Sequence, residues 1–235
     1  MSWALTPLEW EALSLSLKVA AWATVASLPL GLFIAWILAR HRFPGHAILN
    51  GVVHLPLVLP PVVVGYVLLI VLGRGGALGG WLYDTFGLSF AFTWKGAAVA
   101  AAVMAFPLMV RAMRLSLEAV DPSLEHAART LGAAPYRVFF TVTLPLMLPG
   151  VVTGSVLAFA RALGEFGATI TFVSNIPGET QTLPLALYSF TQVPGGENSA
   201  LRLAVLAVIV ALIALIASEA LARRVQRMTR GEERA

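Results

Sequence analysis

Five stretches of this sequence are each about as long and as apolar as a helix that crosses a lipid bilayer. They cover residues 19–39, 55–73, 87–110, 138–160 and 201–222, with a start for the second as early as Ala47. A helix needs roughly 20 apolar residues to cross the hydrocarbon layer. It also pairs all its backbone N–H and C=O groups internally, as a lipid-exposed segment must. The pattern therefore predicts an all-α integral membrane protein with five transmembrane helices.

Composition narrows the classes of function. Hydrophobic residues make up 58% of the chain and charged residues 12%, and there is no cysteine, which excludes disulfides, thiol nucleophiles and cysteine-ligated metals. The four histidines have no metal-ligand spacing, so we expect no metal site. No paired acids or Ser/His pattern indicates an intramembrane enzyme. No long Gly-, Ser- or Pro-rich linker divides the chain, so we expect one domain over residues 1–235.

The N-terminal segment does not have the features of a cleaved signal peptide. Residues 1–17 contain Glu9 and Glu11 and no basic residue, whereas a signal peptide begins with a positively charged region. We therefore expect the first crossing to be retained.

Basic residues predict the orientation. With the N-terminus outside, five crossings leave three segments in the cytoplasm: 40–50, 111–137 and the C-terminal tail. These segments hold eleven of the sixteen Lys and Arg residues, namely Arg40, Arg42, Arg111, Arg114, Arg129, Arg137, Arg223, Arg224, Arg227, Arg230 and Arg234. The net charge of +4 thus lies at the ends of apolar runs rather than on one soluble face, so we expect no nucleic-acid partner.

A sixth crossing within residues 162–200 would place the basic tail outside and is rejected for that reason. This region is interrupted by Glu179 and by Pro and Gly residues. It predicts short helices or re-entrant pieces, which are tolerated at membrane depth only when packed inside protein or lining a cavity.

One charged segment, at about 117–136, interrupts the apolar pattern between the third and fourth crossings. Asp121 is a good N-cap, Pro122 suits the first helical position, and Gly132 suits the left-handed residue after the end. The predicted helix has about ten residues, roughly 15 Å in length, with Glu125 placed to pair with Arg129. A helix so short is marginal alone, so we expect its apolar face to be buried, either by this chain's own loops or by a partner. That face comprises Leu124, Ala127, Ala128 and Leu131.

At this helix the sequence resembles the permease subunits of bacterial ABC importers. Ala127-Ala128, Gly132 and Val142-Thr143-Leu144-Pro145 are similar to that family's Glu-Ala-Ala, Gly and Ile-x-Leu-Pro pattern. His126 stands in the glutamate position, with Glu125 just before it. The resemblance implies the type I importer permease fold and a cytoplasmic coupling helix that binds the ATP-binding subunit. The coupling residues it implies are Leu124, Glu125, His126, Ala127, Ala128, Leu131 and Gly132.

Other segments resemble the molybdate permeases within that superfamily. They are residues 55–79, 87–100 and, as the longest discriminator, 171–188. Sulfate/thiosulfate permeases share part of this pattern and are the alternative; tungstate is chemically too close to molybdate to be separated. A secondary, ion-coupled anion transporter is a more remote alternative, because no repeated halves are visible.

The resemblance also implies the partners. The chain contains no GxxxxGK[ST] loop, so ATP and magnesium are expected on a separate polypeptide and no cofactor in this chain. The expected assembly is two copies of this chain, two ATP-binding cassette subunits and an extracytoplasmic molybdate-binding protein, embedded in the lipid bilayer of the bacterial cytoplasmic membrane.

The candidate pathway or gate residues are Arg161, Glu165, Thr169 and Thr171, at the end of the fourth crossing. Charged groups at membrane depth are typical of function, and arginine and hydroxyl groups suit an oxyanion. The alternative is that Arg161 and Glu165 neutralise one another and fix helix packing. In the same crossing, Gly150 and Gly154 predict close helix approach, with dimerisation as a weaker alternative. Pro56, Pro60 and Pro61 favour helix starts over kinks.

Overall fold

The computed structural model of the protein describes residues 5–231. This part of the chain forms eleven α-helices and one π-helical segment, and it contains no strand. In chain order the elements are α1 (Pro7–Arg40), α2 (His46–Val58), α3 (Pro61–Leu72), α4 (Ala77–Phe86), α5 (Trp94–Glu118), α6 (Pro122–Thr130), α7 (Pro135–Val138), the π segment (Phe139–Thr143), α8 (Leu144–Leu163), α9 (Gly167–Val173), α10 (Leu183–Thr191) and α11 (Glu197–Gly231).

Within residues 5–231, four helical stretches are long and apolar enough to cross a membrane. They are Pro7–Arg40, Trp94–Glu118, Pro135–Leu163 and Glu197–Ala217. A fifth span results if α2 and α3 are counted together, although they meet at an angle of 115°. The all-α membrane fold is confirmed, and the number five holds when the bent pair is counted as one span.

The prediction of one continuous crossing helix over residues 55–73 is wrong, because the helix is interrupted within this segment. The helix stops at Val58 and restarts at Pro61, with Leu59 extended between them. Pro60 and Pro61 carry no N–H to continue the hydrogen-bond ladder, and Pro61 takes the first position of α3, where that loss costs nothing. Two of the three prolines therefore mark a helix start, whereas Pro56 lies inside α2.

Two crossings begin elsewhere than hydropathy predicted, because capping groups set the ends. The first starts at Pro7 rather than residue 19, since Thr6 and Glu9 form a reciprocal capping box. The third starts at Trp94 rather than residue 87. Gly87, in the left-handed region, ends the unpredicted helix α4, and the Thr93 hydroxyl then accepts the Gly96 N–H.

Helix α5 lies at the centre of the bundle, between α1 and α8. The approach of α8 depends on Gly150 and Gly154. A Cβ at Gly150 would collide with the Cβ of Ser116, and one at Gly154 would lie 2.9 Å from the Met109 carbonyl oxygen. The predicted close approach is therefore confirmed, and it occurs within one chain.

An ion pair joins the first turn of α1 to the second turn of α11. Glu9 is fully buried, and its Oε1 accepts hydrogen bonds from Arg202 Nη2 at 2.8 Å and Nε at 3.2 Å. Its other oxygen accepts the Thr6 N–H at 2.8 Å. A buried carboxylate is tolerated only when it is paired and hydrogen-bonded, so this contact fixes where the last helix starts against the first.

The region between the fourth and fifth crossings folds as predicted, into short helices packed inside the protein. Phe172 of α9 and Leu185 of α10 are fully buried. Ser16 of α1 accepts the Leu183 N–H at 2.6 Å, which ties the start of α10 to the bundle. Of the basic residues used for orientation, Arg234 and the side chains of Arg224, Arg227 and Arg230 lie outside the described part.

Candidate functional site

Helix α6 has the ends that its sequence predicts. The Asp121 side chain accepts the Ser123 N–H at 2.8 Å, Pro122 takes the first position, and Gly132 follows the end with φ +85°. The hydrogen bond from the Ser123 N–H holds the pKa of Asp121 below its usual value. Capping and charge both favour helix formation here, although only nine residues are helical.

The apolar face of α6 is not covered by this chain. Leu131 is 88% exposed and Leu124 is 47% exposed, Ala127 is exposed, and Ala128 is half-buried. No residue of α6 is buried. Of the two alternatives for burial of this face, burial by this chain's own loops is therefore wrong. Exposed apolar patches are typical of interaction sites.

The flank of α6 beside this face is held by an ion pair that the sequence did not predict. Glu125 Oε1 accepts a hydrogen bond from Arg40 Nη2, at the end of α1, at 2.9 Å. It also accepts one from the Thr143 hydroxyl, at the end of the π segment, at 2.8 Å. The same Arg40 nitrogen approaches the Val120 carbonyl oxygen, before α6, at 3.4 Å. Three parts of the fold are thus joined at Glu125.

The predicted pairing of Glu125 with Arg129 is wrong. Arg129 lies one turn along α6 and is exposed, whereas Arg40 is 19% exposed and meets a carboxylate that is 14% exposed. A partly buried pair is screened less by solvent than a pair on a helix surface. His126, in the usual glutamate position, is exposed.

Sequence reasoning missed Arg40 and Thr143 as parts of this site. Arg40 was considered only as a topology signal, although a basic residue directly after an apolar span also lies at the edge of the next loop. Thr143 belongs to the Val-Thr-Leu-Pro motif, and the residue is buried, at 3% exposure. A buried hydroxyl needs a hydrogen-bond partner, but the burial of this residue is visible only in the structure.

The π segment lies between α7 and α8 within the membrane helix Pro135–Leu163. Pro145, in the first turn of α8, has no N–H to donate to a carbonyl four residues earlier. Over Phe139–Thr143 the backbone hydrogen bonds instead join residues five apart, as in a π-helix. Such segments are frequent at functional sites, and this one contacts α6 directly.

A cleft of about 390 Å³ lies between α1 and the α6 region. Leu32, Phe33 and Trp36 form one wall, and Tyr136 and Phe140 form part of the other. Glu125 and Arg129 are its charged members. Glu125 and Thr143, which take part in the Arg40 contact, also line this cleft. Because the space beside them is open, α6 is supported by a few polar bonds rather than by a continuous core.

The second predicted group of residues lies where α8 ends and α9 begins. Arg161 Nη1 and Glu165 Oε2 are 2.6 Å apart, with the Glu165 side chain 2% exposed and that of Arg161 28% exposed. Glu165 Oε1 accepts the Ala168 N–H at 2.8 Å and so caps α9. The carboxylate thus has a structural role, while the guanidinium keeps an accessible edge.

The surroundings of the two threonines in this group indicate a role in helix packing rather than in lining a transport pathway. Thr169 is 1% exposed, and the Thr171 hydroxyl donates to the Gly167 carbonyl oxygen at 2.9 Å. Helix α9 lies close against α3, since a Cβ at Gly65 would be 2.9 Å from both Ala168 Cα and Thr171 Cβ. Arg161 is therefore the member of the group with an accessible charged group, and the pathway assignment stays a prediction.

Comparison with known proteins gives consistent matches over nearly the whole chain. The sequence profile of the family described as binding-protein-dependent transport system inner membrane component matches residues 27–227. The molybdenum transport system permease protein ModB of Escherichia coli K12 is 64% identical over 219 residues, covering 93% of this chain and 96% of that protein. The ModB protein of Haemophilus influenzae is 61% identical, over 94% of this chain and 96% of its own length. The sulfate transport system permease protein CysT of E. coli K12 is more distant, with 40% identity over 80% of this chain and 70% of CysT.

Solved structures show the same fold. A bacterial ABC transporter for import of the acidic polysaccharide alginate matches with a TM-score of 0.72 at 14% identity, over 94% of this chain and 80% of that chain. The MetNI methionine ABC transporter matches with a TM-score of 0.66 at 21% identity, over 96% and 99% of the two chains. The exposed helix α6 and the surrounding bundle thus occur in a chain that belongs to the family of inner membrane components of binding-protein-dependent transport systems, with the fold of ABC-importer permeases.

Proposed function

We propose that this chain is the membrane-spanning permease subunit of an ATP-driven importer that carries molybdate into the cell. The observation that carries the substrate is the 64% identity to the E. coli molybdenum permease over 93% of the chain. Molybdate carries two negative charges, so its entry against an inside-negative membrane potential requires energy, which coupling to ATP supplies. Each negative charge that enters against an inside-negative potential of roughly 100 mV costs about 2.3 kcal/mol.

The exposed face of α6 supports the proposal that ATP is hydrolysed on a separate partner. We infer that two ATP-binding cassette subunits, with ATP and magnesium, bind at Leu124, Ala127 and Leu131. Glu125 then passes movement of α6 to α1 through Arg40 and to α8 through Thr143, since both contacts end on one carboxylate oxygen. His126 and Gly132 border the same surface.

Replacing Leu131 by Asp tests the coupling surface. Leu131 is 88% exposed, so the variant is expected to fold and reach the membrane normally, but to lose co-purification of the ATP-binding subunits and uptake. Leu115→Asp is the matched control, since Leu115 is also exposed, at 59%, but lies on α5. Retained co-purification in Leu131→Asp would refute this use of α6.

Uptake of labelled molybdate tests the substrate. Cells that lack the chain are compared with cells in which it is restored, each challenged with excess unlabelled tungstate or sulfate. We expect restored uptake that tungstate blocks and sulfate does not. Inhibition by sulfate would favour a sulfate/thiosulfate permease, for which the 40% identity to E. coli CysT is the supporting observation.

The rest of the assembly is proposed with the function. Two copies of this chain enclose one pathway beside a two-fold axis, and an extracytoplasmic binding protein delivers the anion. The N-terminus lies outside and α6 in the cytoplasm, as the eleven basic residues on that side favour. Arg161 is the proposed contact for the passing oxyanion, because its guanidinium retains an accessible edge beside a neutralising carboxylate.

A further inference from the structure

A tyrosine on α10 contacts the residue that follows the Arg161 and Glu165 pair. The ring of Tyr188 packs on that of Phe166, with 5.3 Å between the ring centroids and 57° between the ring planes. Phe166 comes directly after Glu165, whose carboxylate is 2.6 Å from the Arg161 guanidinium. The aromatic pair therefore joins α10 to the turn between α8 and α9, where the proposed pathway contact lies.

The hydroxyl group of Tyr188 is not used by the fold. Tyr188 is 45% exposed, and its hydroxyl makes no hydrogen bond with any residue that the structure describes. On the packed side of α10, Leu185 and Ala186 are buried, at 0% and 1% exposure. Tyrosine combines an apolar ring that packs with a polar tip that forms hydrogen bonds. Here the ring is placed by packing, while the hydroxyl is left available to a ligand.

Three polar side chains hold this part of α10 in position. Asn175 Nδ2 donates to Ser189 Oγ at 2.7 Å, and Gln181 Nε2 donates to Asn175 Oδ1 at 2.9 Å. The same amide nitrogen of Gln181 approaches Ser189 Oγ at 3.3 Å. Asn175, Gln181 and Tyr188 belong to residues 171–188, the segment that carries the resemblance to molybdate permeases, and Ser189 follows it directly. The polar contacts within this segment thus fix the place of Tyr188.

A transport pathway needs groups that bind the passing ion weakly. Binding has to be favourable enough for the ion to enter and weak enough for it to leave. Arg161 meets this condition because Glu165 offsets part of its charge. A phenol is uncharged at neutral pH and donates one hydrogen bond. It therefore adds attraction for an oxyanion without adding a second positive charge that would retain it.

We propose that the Tyr188 hydroxyl is a second hydrogen-bond donor to the tetrahedral oxyanion that passes Arg161. The inference rests on the proposed function and adds one residue to the proposed pathway contact. The guanidinium supplies charge, and the phenol supplies a neutral donor whose ring is held on Phe166.

Replacing Tyr188 by Phe tests the hydroxyl alone, because the ring and its contact with Phe166 remain. The measurement is uptake of labelled molybdate by cells with the intact transporter, normalised to the amount of this chain in the membrane. We expect Tyr188→Phe to lower uptake about tenfold, as for the loss of one hydrogen bond to a charged group. The membrane level and co-purification of the ATP-binding subunits should not change.

Tyr83→Phe is the matched control. Tyr83 is 43% exposed, and its ring likewise has a partner, the guanidinium of Arg74 at 4.7 Å. The control therefore removes an equally accessible phenol hydroxyl from another part of the chain, and uptake should stay at the wild-type rate.

Other results overturn the proposal. Uptake by Tyr188→Phe at the wild-type rate would show that the hydroxyl has no role, and a loss confined to Tyr188→Ala would assign the residue to packing alone. Equal losses in Tyr188→Phe and Tyr83→Phe would also contradict it, because a general effect of removing an exposed hydroxyl would then explain the result. Absence of molybdate uptake by the unaltered chain would instead refute the proposed function, so the two failures are distinguishable.

Discussion

The contact between Arg40 and Glu125 joins residues that are 85 positions apart in the chain. Arg40 and Glu125 are both largely withdrawn from solvent, and the Thr143 hydroxyl shares the same carboxylate oxygen. When one partner of a partly buried pair is removed, the other keeps its desolvation cost without its attraction. The proposed transmission from α6 therefore depends on a small number of atoms.

We predict that Glu125→Gln weakens transport several-fold and lowers the free energy of unfolding by about 1–3 kcal/mol, because Arg40 and Thr143 lose a charged acceptor. Uptake and thermal unfolding of the purified protein measure the two effects. Arg129→Gln is the matched control, since it removes an exposed charge from the same helix. Equal losses in the two variants would argue against a special role for the Arg40 contact.

In the ion pair between Arg161 and Glu165, replacement of the two partners is expected to have different effects. Arg161→Ala removes the accessible guanidinium and is predicted to reduce uptake with little change in membrane level. Glu165→Gln retains an oxygen that can accept the Ala168 N–H, but it leaves Arg161 unpaired. Uptake normalised to the amount of protein in the membrane is the measurement. Unchanged transport in both variants would refute the pathway assignment.

Contacts between individual side chains were the features least predictable from the sequence. The presence of Glu125 and Arg129 four residues apart predicted the wrong ion pair, because spacing along one helix carries no information about what approaches from another. The Arg161 and Glu165 pair was predicted with the correct partners, since Glu165 comes directly after the end of the helix whose last turn carries Arg161.

The close packing of helix α8 against α5 depends on glycine residues, which have no side chain. We predict that Gly150→Ala lowers the free energy of unfolding by about 1–3 kcal/mol, because the new methyl group would force α8 away from Ser116 of α5. Thermal unfolding in detergent is the measurement. Gly51→Ala, in α2, is the control: its added Cβ would meet no atom within 4 Å, so its effect should stay within about 1 kcal/mol, with stabilisation favoured. A Gly150→Ala variant as stable as Gly51→Ala would contradict the packing argument.

Element ends were predictable where local chemistry sets them. Asp121, Pro122 and Gly132 predicted both ends of α6, since caps depend on neighbouring residues only. Hydropathy missed α4 and merged α2 with α3, because it averages over turns. Prolines in an apolar run are also ambiguous: Pro61 starts a helix, while Pro56 lies inside one.

For the whole molecule, the proposed orientation is testable because the chain has no native cysteine. We predict that a cysteine replacing Ser123, on α6, reacts with a membrane-impermeant maleimide only in inverted vesicles. One replacing Thr85, on α4, should react in intact cells. Both positions are exposed, so the comparison reports sidedness rather than burial. The reverse labelling pattern would invert the topology.

The membrane class, the all-helical fold, the capped helix α6 and the family resemblance were all predictable before the fold was known. They follow from apolar length, local capping and short motifs, which are properties of neighbouring residues. Three features appear only in the folded bundle: Arg40 rather than Arg129 holds Glu125, the apolar face of α6 is uncovered, and α2 and α3 meet at 115°. These features depend on which distant segments approach one another, and that is settled by the packing of the whole bundle around α5.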